Sequence, residues 1–174
     1  MNTDGGQRPS TIIVVAAAIV EQGRLLVVSK EVAPEVFYLP GGKPEAGEST
    51  EETLIRELDE ELNVTPTSLN LLGEVEDVAA IEGLPLHMTV FRTEIDRVPR
   101  PAAEVADLRW TNGGDEHAPM VAPAVRNHVI PLLARSGLLA SPCAESVSDQ
   151  AQPRIGRRDS PSSCGWQPGP SSPG

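Results

Sequence analysis

The stretch GGKPEAGESTEETLIRELDEELNV, residues 41–64, is a dense acidic run behind a glycine pair. It contains a well-marked helix. Ser49 is a good N-cap, and Glu52, three residues on, completes a capping box. Glu51 and Glu52 fall in the first turn, where the helix dipole favours negative charge. Asn63 stands where a left-handed residue usually closes a helix. The spacing predicts a helix from Thr50 to Leu62. At about 100° per residue, with Glu57 at 0°, Glu60 falls at about 300° and Glu61 at about 40°. Leu54, Ile55, Leu58 and Leu62 form a separate apolar stripe, so the helix can pack on a sheet while its acidic side faces elsewhere. Like charges at such spacing repel. Either this face is a solvated surface, as most charge runs are, or a cation sits among the carboxylates. Clustered carboxylates suit a hard divalent cation such as Mg²⁺.

Outward from this helix the chain reads as strands. TIIVVAAAIV, 11–20, is nearly all apolar and predicts a strand buried on both faces. EQG turns it into RLLVVSK, giving a hairpin over 11–30. VFYLP is a short strand ended by Pro40. SLNLLGEVEDVAA and LHMTVFRTEI are longer strands joined through IEGLP, and ADLRWT is a further short one. APAVRNHVIPLLARSG is helical, with Pro123 near its start, Gly137 at its end, and Pro131 expected to kink or split it. Residues 1–10 read as a flexible arm and 11–138 as one domain. From 139 onward the composition turns to Ser, Pro, Gly and charge, which cannot bury enough surface to offset its ordering entropy, so 139–174 is expected to be a disordered tail.

The 174 residues carry a formal net charge of -11 and no Lys/Arg-rich block, which argues against a nucleic acid polymer as partner. An anionic small molecule would be repelled too, unless a cation mediates. The two cysteines, Cys143 and Cys164, show no metal-ligand spacing, and His87, His117 and His128 show no pairing. The longest apolar run, IIVVAAAIV, is about half a transmembrane length, so no membrane association and a cytoplasmic location are expected. Nothing in the pattern sets the oligomeric state, and a homodimer is allowed.

Gly42, five residues, Glu48, seven residues, then RELDEELNV resembles the Nudix box. Gly42, Glu48, Arg56, Glu57, Leu58, Glu60, Glu61 and Val64 match that family's pattern, and LPGG before them is typical of it. The family has Gly where this chain has Asn63. Asn is among the residues that tolerate the left-handed conformation needed there. The resemblance implies an α/β Nudix fold, a mixed β-sheet sandwiched between α-helices. It implies that Glu57, Glu60 and Glu61, with the carbonyl of Gly41, hold Mg²⁺ or Mn²⁺, that Glu57 or Glu60 is the base, that Arg56 orients Glu57, and that Glu48 ties the loop to the helix. A later carboxylate is expected as well: Glu104 first, Glu94 and Asp96 behind it.

The implied reaction is hydrolysis of a diphosphate linkage in a small nucleotide by water attack on phosphorus. Lys43, Phe37 and Tyr38 are candidate substrate contacts, with Phe91 and Trp110 as further aromatics. The markers of the ADP-ribose, diadenosine-polyphosphate and NADH groups are missing, so a nucleoside triphosphate, including an oxidised one, leads. A nucleotide-sugar pyrophosphatase and a nucleotide sensor without turnover are the alternatives.

Overall fold

The computed structural model of the protein describes residues 10–114 and 120–140. Strand β1 (Ile12–Glu21) passes through a two-residue turn, Gln22–Gly23, into β2 (Arg24–Lys30). Then come β3 (Ala33–Tyr38), the two-residue β4 (Gly41–Gly42), α1 (Thr50–Leu62), β5 (Pro66–Val78), β6 (Pro85–Ile95), β7 (Val105–Thr111) and β8 (Met120–Val121). A π-helical turn, Val125–Val129, runs into α2 (Ile130–Arg135).

Helix α1 has the bounds expected from its caps. The Ser49 hydroxyl accepts from the Glu52 amide, the Glu52 carboxylate accepts from the Ser49 amide, and Asn63 is left-handed at φ 53°. The C-terminal helix shows the other outcome for a helix containing proline. Pro131 has no N–H to give, and the chain responds by widening rather than breaking: the Ile130 N–H reaches back five residues to the Val125 carbonyl.

The strands form one mixed sheet in the order β5-β6-β1-β2-β3-β8, with β4 paired to β1 and β7 to β2. Hairpin pairing of β1 with β2 is confined to Val20–Leu25 and Glu21–Arg24. Beyond that the two strands part. β1 takes β6 as a parallel partner and β2 takes β7 and β3 as antiparallel ones. Into the opening comes the backbone of residues 40–42: the Ala17 amide donates to the Pro40 carbonyl, and Gly41 and Gly42 pair with Ala16 and Val15.

The period-2 alternation of β1 and β2 then sorts the core into two layers. Val15, Ala17, Ile19, Leu26 and Val28 face α1 and pack with Leu54, Leu58, Leu62 and Val64. Ala16, Ala18, Leu25 and Val27 face the other way and pack with Val125, Val129 and Leu133. The three α1 leucines are fully buried, each contributing about 2 kcal/mol by area. The result is the expected sheet between helices. Leu139 is also buried and the Ala140 amide donates to the Gly23 carbonyl, so the first two residues of the expected tail pack on the domain. Residues 141–174, with both cysteines, lie outside the described residues, as do most of the arm and His117. Among the described residues no helix is long and apolar enough to cross a membrane.

Candidate functional site

Where β1 and β2 part, the glycine pair meets the acidic face of α1. Gly41 sits at φ 140°, and a Cβ there would lie 2.1 Å from the Val15 carbonyl oxygen, so only glycine allows this approach. A Cβ on Gly42 would lie 2.1 Å from the Glu57 carboxylate. The missing side chain is what lets Glu57 lie flat against the loop.

Arg56 organises this corner. Its Nε and Nη2 donate to the two oxygens of Glu48 at 2.8 and 3.0 Å, a bidentate pair. Nη1 donates to Glu57 Oε1 at 2.9 Å, with Glu60 Oε2 at 3.5 Å, and Nη2 also reaches the Lys43 carbonyl at 3.3 Å. Glu48 takes two more donors, the Thr53 hydroxyl at 3.0 Å and the Glu45 amide at 2.9 Å. Arg56 first, then the Glu45 amide, pulls the Glu48 carboxyl down to about 2, and Glu48 in turn pushes the Arg56 guanidinium up. Glu48 therefore ties the loop to the helix by holding Arg56, whose remaining N–H groups steer Glu57.

The three helix carboxylates occupy different environments. Glu60 is largely exposed. Glu61 is only 2% exposed, facing the sheet. Its Oε2 accepts from the Gly41 amide at 2.9 Å. Its Oε1 has Lys30 Nζ at 3.2 Å, yet makes no hydrogen bond of good geometry. Burial raises the Glu61 carboxyl above its usual range, opposed by the Lys30 charge and the Gly41 amide. Lys30 also pairs with Glu104, and of the three late carboxylates weighed from the sequence only Glu104 lines the adjoining cavity. Glu94 is exposed on β6, and Asp96 is spent on the Thr65 amide and Arg97.

That cavity has a volume of about 500 Å³. Its charged end is formed by Lys30, Lys43, Arg56, Glu57 and Glu104. Glu45 and Glu82 also line it, and the remaining wall is mainly aliphatic, with Ile12, Val14, Leu86, Met88 and Val125. Tyr38 lines it, and its hydroxyl is buried without a hydrogen-bond partner. Phe37, expected as a substrate contact, is 4% exposed and packs in the core on the α2 side, because neighbouring strand residues point to opposite faces. Phe91 and Trp110 belong to the α1-side core. Of the expected contacts, the fold brings Tyr38 and Lys43 to the cavity. His87 lies between Glu74 and Glu76, and His128 faces Asp77, both away from the α1 carboxylates.

Two residues with a part here escaped the sequence reading. Lys30 ends β2, and the strand's period-2 alternation through Leu26 and Val28 already assigned it to the α1 side. Thr53, buried inside α1, holds Glu48, and a polar residue on the packed side of the helix was its only signal.

Among the described residues no three carboxylate or imidazole groups already converge on one point. Arg56 and Lys30 hold the inner oxygens of Glu57 and Glu61 instead. The donor set nevertheless fits a hard divalent cation: all oxygen, strongly acidic, with one buried Glu61 oxygen lacking a hydrogen bond.

Residues 9–132 match the family described as NUDIX domain. The chain is 32% identical over 123 residues to "Putative 8-oxo-dGTP diphosphatase 2" of Mycobacterium tuberculosis, covering 69% of this chain and 86% of that protein. Among solved structures it resembles a MutT NUDIX hydrolase from Burkholderia pseudomallei, with 28% identity, a TM-score of 0.62, and coverage of 71% of this chain and 98% of that one. A MutT protein from Methanosarcina mazei Go1 shares the fold, with 23% identity, a TM-score of 0.60, and coverage of 75% and 97%. Glycine loop, Arg56-centred carboxylates and these likenesses agree, and the chain belongs to the NUDIX domain family as a Nudix-type hydrolase.

Proposed function

We propose that this enzyme hydrolyses a nucleoside triphosphate to the monophosphate and pyrophosphate, with an oxidised purine triphosphate as the leading substrate, in the presence of Mg²⁺ or Mn²⁺. The observation that carries this reading is the cavity itself: a charged end at the glycine loop and α1 runs directly into aliphatic walls. Polyphosphate belongs at the first and a flat, weakly hydrated base at the second. The likeness to an 8-oxo-dGTP diphosphatase supports an oxidised base.

Glu57, Glu60, Glu61 and the Gly41 carbonyl, with Glu104, would hold the cation. When bound, it would make an attacking water more acidic and offset charge on the phosphate oxygens. Glu57, which lines the cavity and is oriented by Arg56, accepts the proton of the attacking water. The water oxygen bonds to the α or the β phosphorus, the phosphorus–oxygen bond between them breaks, and the other fragment, pyrophosphate or monophosphate respectively, leaves with that electron pair. Lys43, on the loop, balances phosphate charge. Tyr38 offers its unpartnered hydroxyl to the nucleoside. The substrate is a small nucleotide rather than a polymer, in a cytoplasmic setting.

Turnover of a panel of triphosphates, including 8-oxo-dGTP, in ¹⁸O-labelled water with Mg²⁺ tests this reading. The expected result is monophosphate plus pyrophosphate with one label between them. Release of orthophosphate would refute the bond assignment. Thermal stabilisation by nucleotides without turnover, with Mg²⁺ and Mn²⁺ both tried, would make the protein a sensor.

A further inference from the structure

The cavity wall carries three cations, Lys30, Lys43 and Arg56. Their commitments differ. Lys30 is engaged by buried Glu61 and by Glu104. Arg56 is engaged by Glu48, Glu57 and Glu60. Among the described residues Lys43 is paired to Glu82 alone, at 3.7 Å from its Oε1, with both side chains well exposed and both residues lining the cavity. The two residues come from separate segments of the chain. The backbone of Lys43 is pinned beside the carboxylates by Arg56 Nη2. Glu82 rides on the β5–β6 loop, a tight turn closed by the Ala79 amide on the Leu84 carbonyl and the Gly83 amide on the Ala79 carbonyl. That loop supplies Ala79, Ala80 and Ile81 to the cavity wall.

We propose that Glu82 is an anionic placeholder: in the free enzyme it holds Lys43 in the cavity lining, and the phosphate chain of an incoming ligand must displace it. This deepens the proposed function, on which it rests for the polyphosphate character of the ligand. A mobile ammonium can serve one carboxylate or one phosphate oxygen well at that position, since its charge is compact. Phosphate, carrying more charge than a carboxylate, wins the contest but pays for breaking the pair. Glu82 accordingly sets affinity for the phosphate chain and is a positioning residue, touching no reacting atom.

The test is a double-mutant cycle on the full chain, read by calorimetric binding of inorganic tripolyphosphate in Mg²⁺ at low salt. An exposed pair of this kind predicts that Glu82→Gln tightens binding by about threefold. Lys43→Ala should weaken it by about tenfold, the scale of a lost charge-assisted contact. In the Lys43→Ala background, Glu82→Gln should bring no gain. A Glu82→Gln protein that binds no more tightly than the parent overturns the proposal. An equal gain with and without Lys43 also overturns it, since that is a general effect of net charge. The two readings fail separately. Tripolyphosphate binding with the expected cycle but no nucleotide turnover removes the proposed function alone, and normal turnover with a flat cycle removes the placeholder alone.

Discussion

The two ends of the cavity are built by opposite means. At the charged end almost every side chain is held by a named partner: Glu48 by Arg56, Thr53 and the Glu45 amide, Glu61 by the Gly41 amide and Lys30. At the aliphatic end residues from distant strands meet through nothing but packing, Ile12 and Val14 from β1, Leu86 and Met88 from β6, and Val125 from the π-helical turn. A charged group in partly dry surroundings must be oriented, since misplacing it leaves a buried charge unpaired. An aliphatic wall needs only the right volume. Substitutions at the charged end should therefore act steeply and specifically, those at the aliphatic end shallowly.

The sharpest way to break this contrast is Glu57→Gln, which keeps size and removes charge. We expect kcat to fall by about a hundredfold or more, with the thermal midpoint nearly retained, because the weakened contact with Arg56 is offset by relief of like-charge repulsion on α1. Steady-state kinetics beside a melting curve check it, and near-parent turnover would remove Glu57 from its role.

Next in size is Lys30→Met. It strips the nearby cation from Glu61 while keeping the aliphatic stem. Chemical denaturation without divalent metal should show a loss of about 2 kcal/mol, below the range for a fully dry pair because Lys30 is partly exposed. Added Mg²⁺ should restore part of that loss if the Glu61 oxygen takes a cation in its place.

At the aliphatic end Ile81→Ala tests the shallow side. Ile81 is half exposed at the rim, so the fold should be unaffected. Loss of about 1 kcal/mol of apolar contact would raise KM about fivefold with little change in kcat. A large fall in kcat would mean that the loop positions the reacting phosphate as well.

A subtler contrast comes from acid. The folded Glu48 carboxyl lies at about 2, below its ordinary 4.5. Its stabilising effect is present above pH of about 4.5 and is lost as pH falls toward 2. The parent protein should lose stability over that window more steeply than Glu48→Gln, in parallel urea titrations.

The smallest effect expected is from Tyr38→Phe. Its hydroxyl is buried without a partner, so removing it should leave the free protein's thermal midpoint unchanged or slightly raised. A change in nucleotide affinity would then report a hydrogen bond to the ligand alone.

Residues 41–64 were legible because their signals are local. Ser49, Glu52 and Asn63 satisfy groups within one helical turn, so the bounds of α1 follow from sequence spacing. The same holds for the turn after Glu21, but not for the response to Pro131, where a kink or split was expected and the chain widens into a π-helical turn instead. Spacing also placed Glu57, Glu60 and Glu61 on neighbouring angles. It could not say that Glu61 is buried on Gly41 and Lys30 while Glu60 faces solvent, because that difference is set by where the sheet lies.

By itself, then, the sequence marked no strand at β4 or β8, but it determined the helix and its caps, the other six of the eight strands in their order along the chain, the acidic motif and, through it, the family. Those depend on interactions a few residues apart, or on a motif of fixed spacing. Tertiary structure alone decided that β1 leaves β2 for β6, that residues 40–42 enter the opening, that Lys30 meets Glu61 and Glu104, and that Phe37 turns into the core while Tyr38 reaches the cavity. Each of these joins residues far apart in the chain, and which ones meet is chosen by how the whole sheet and its two helices bury apolar surface together.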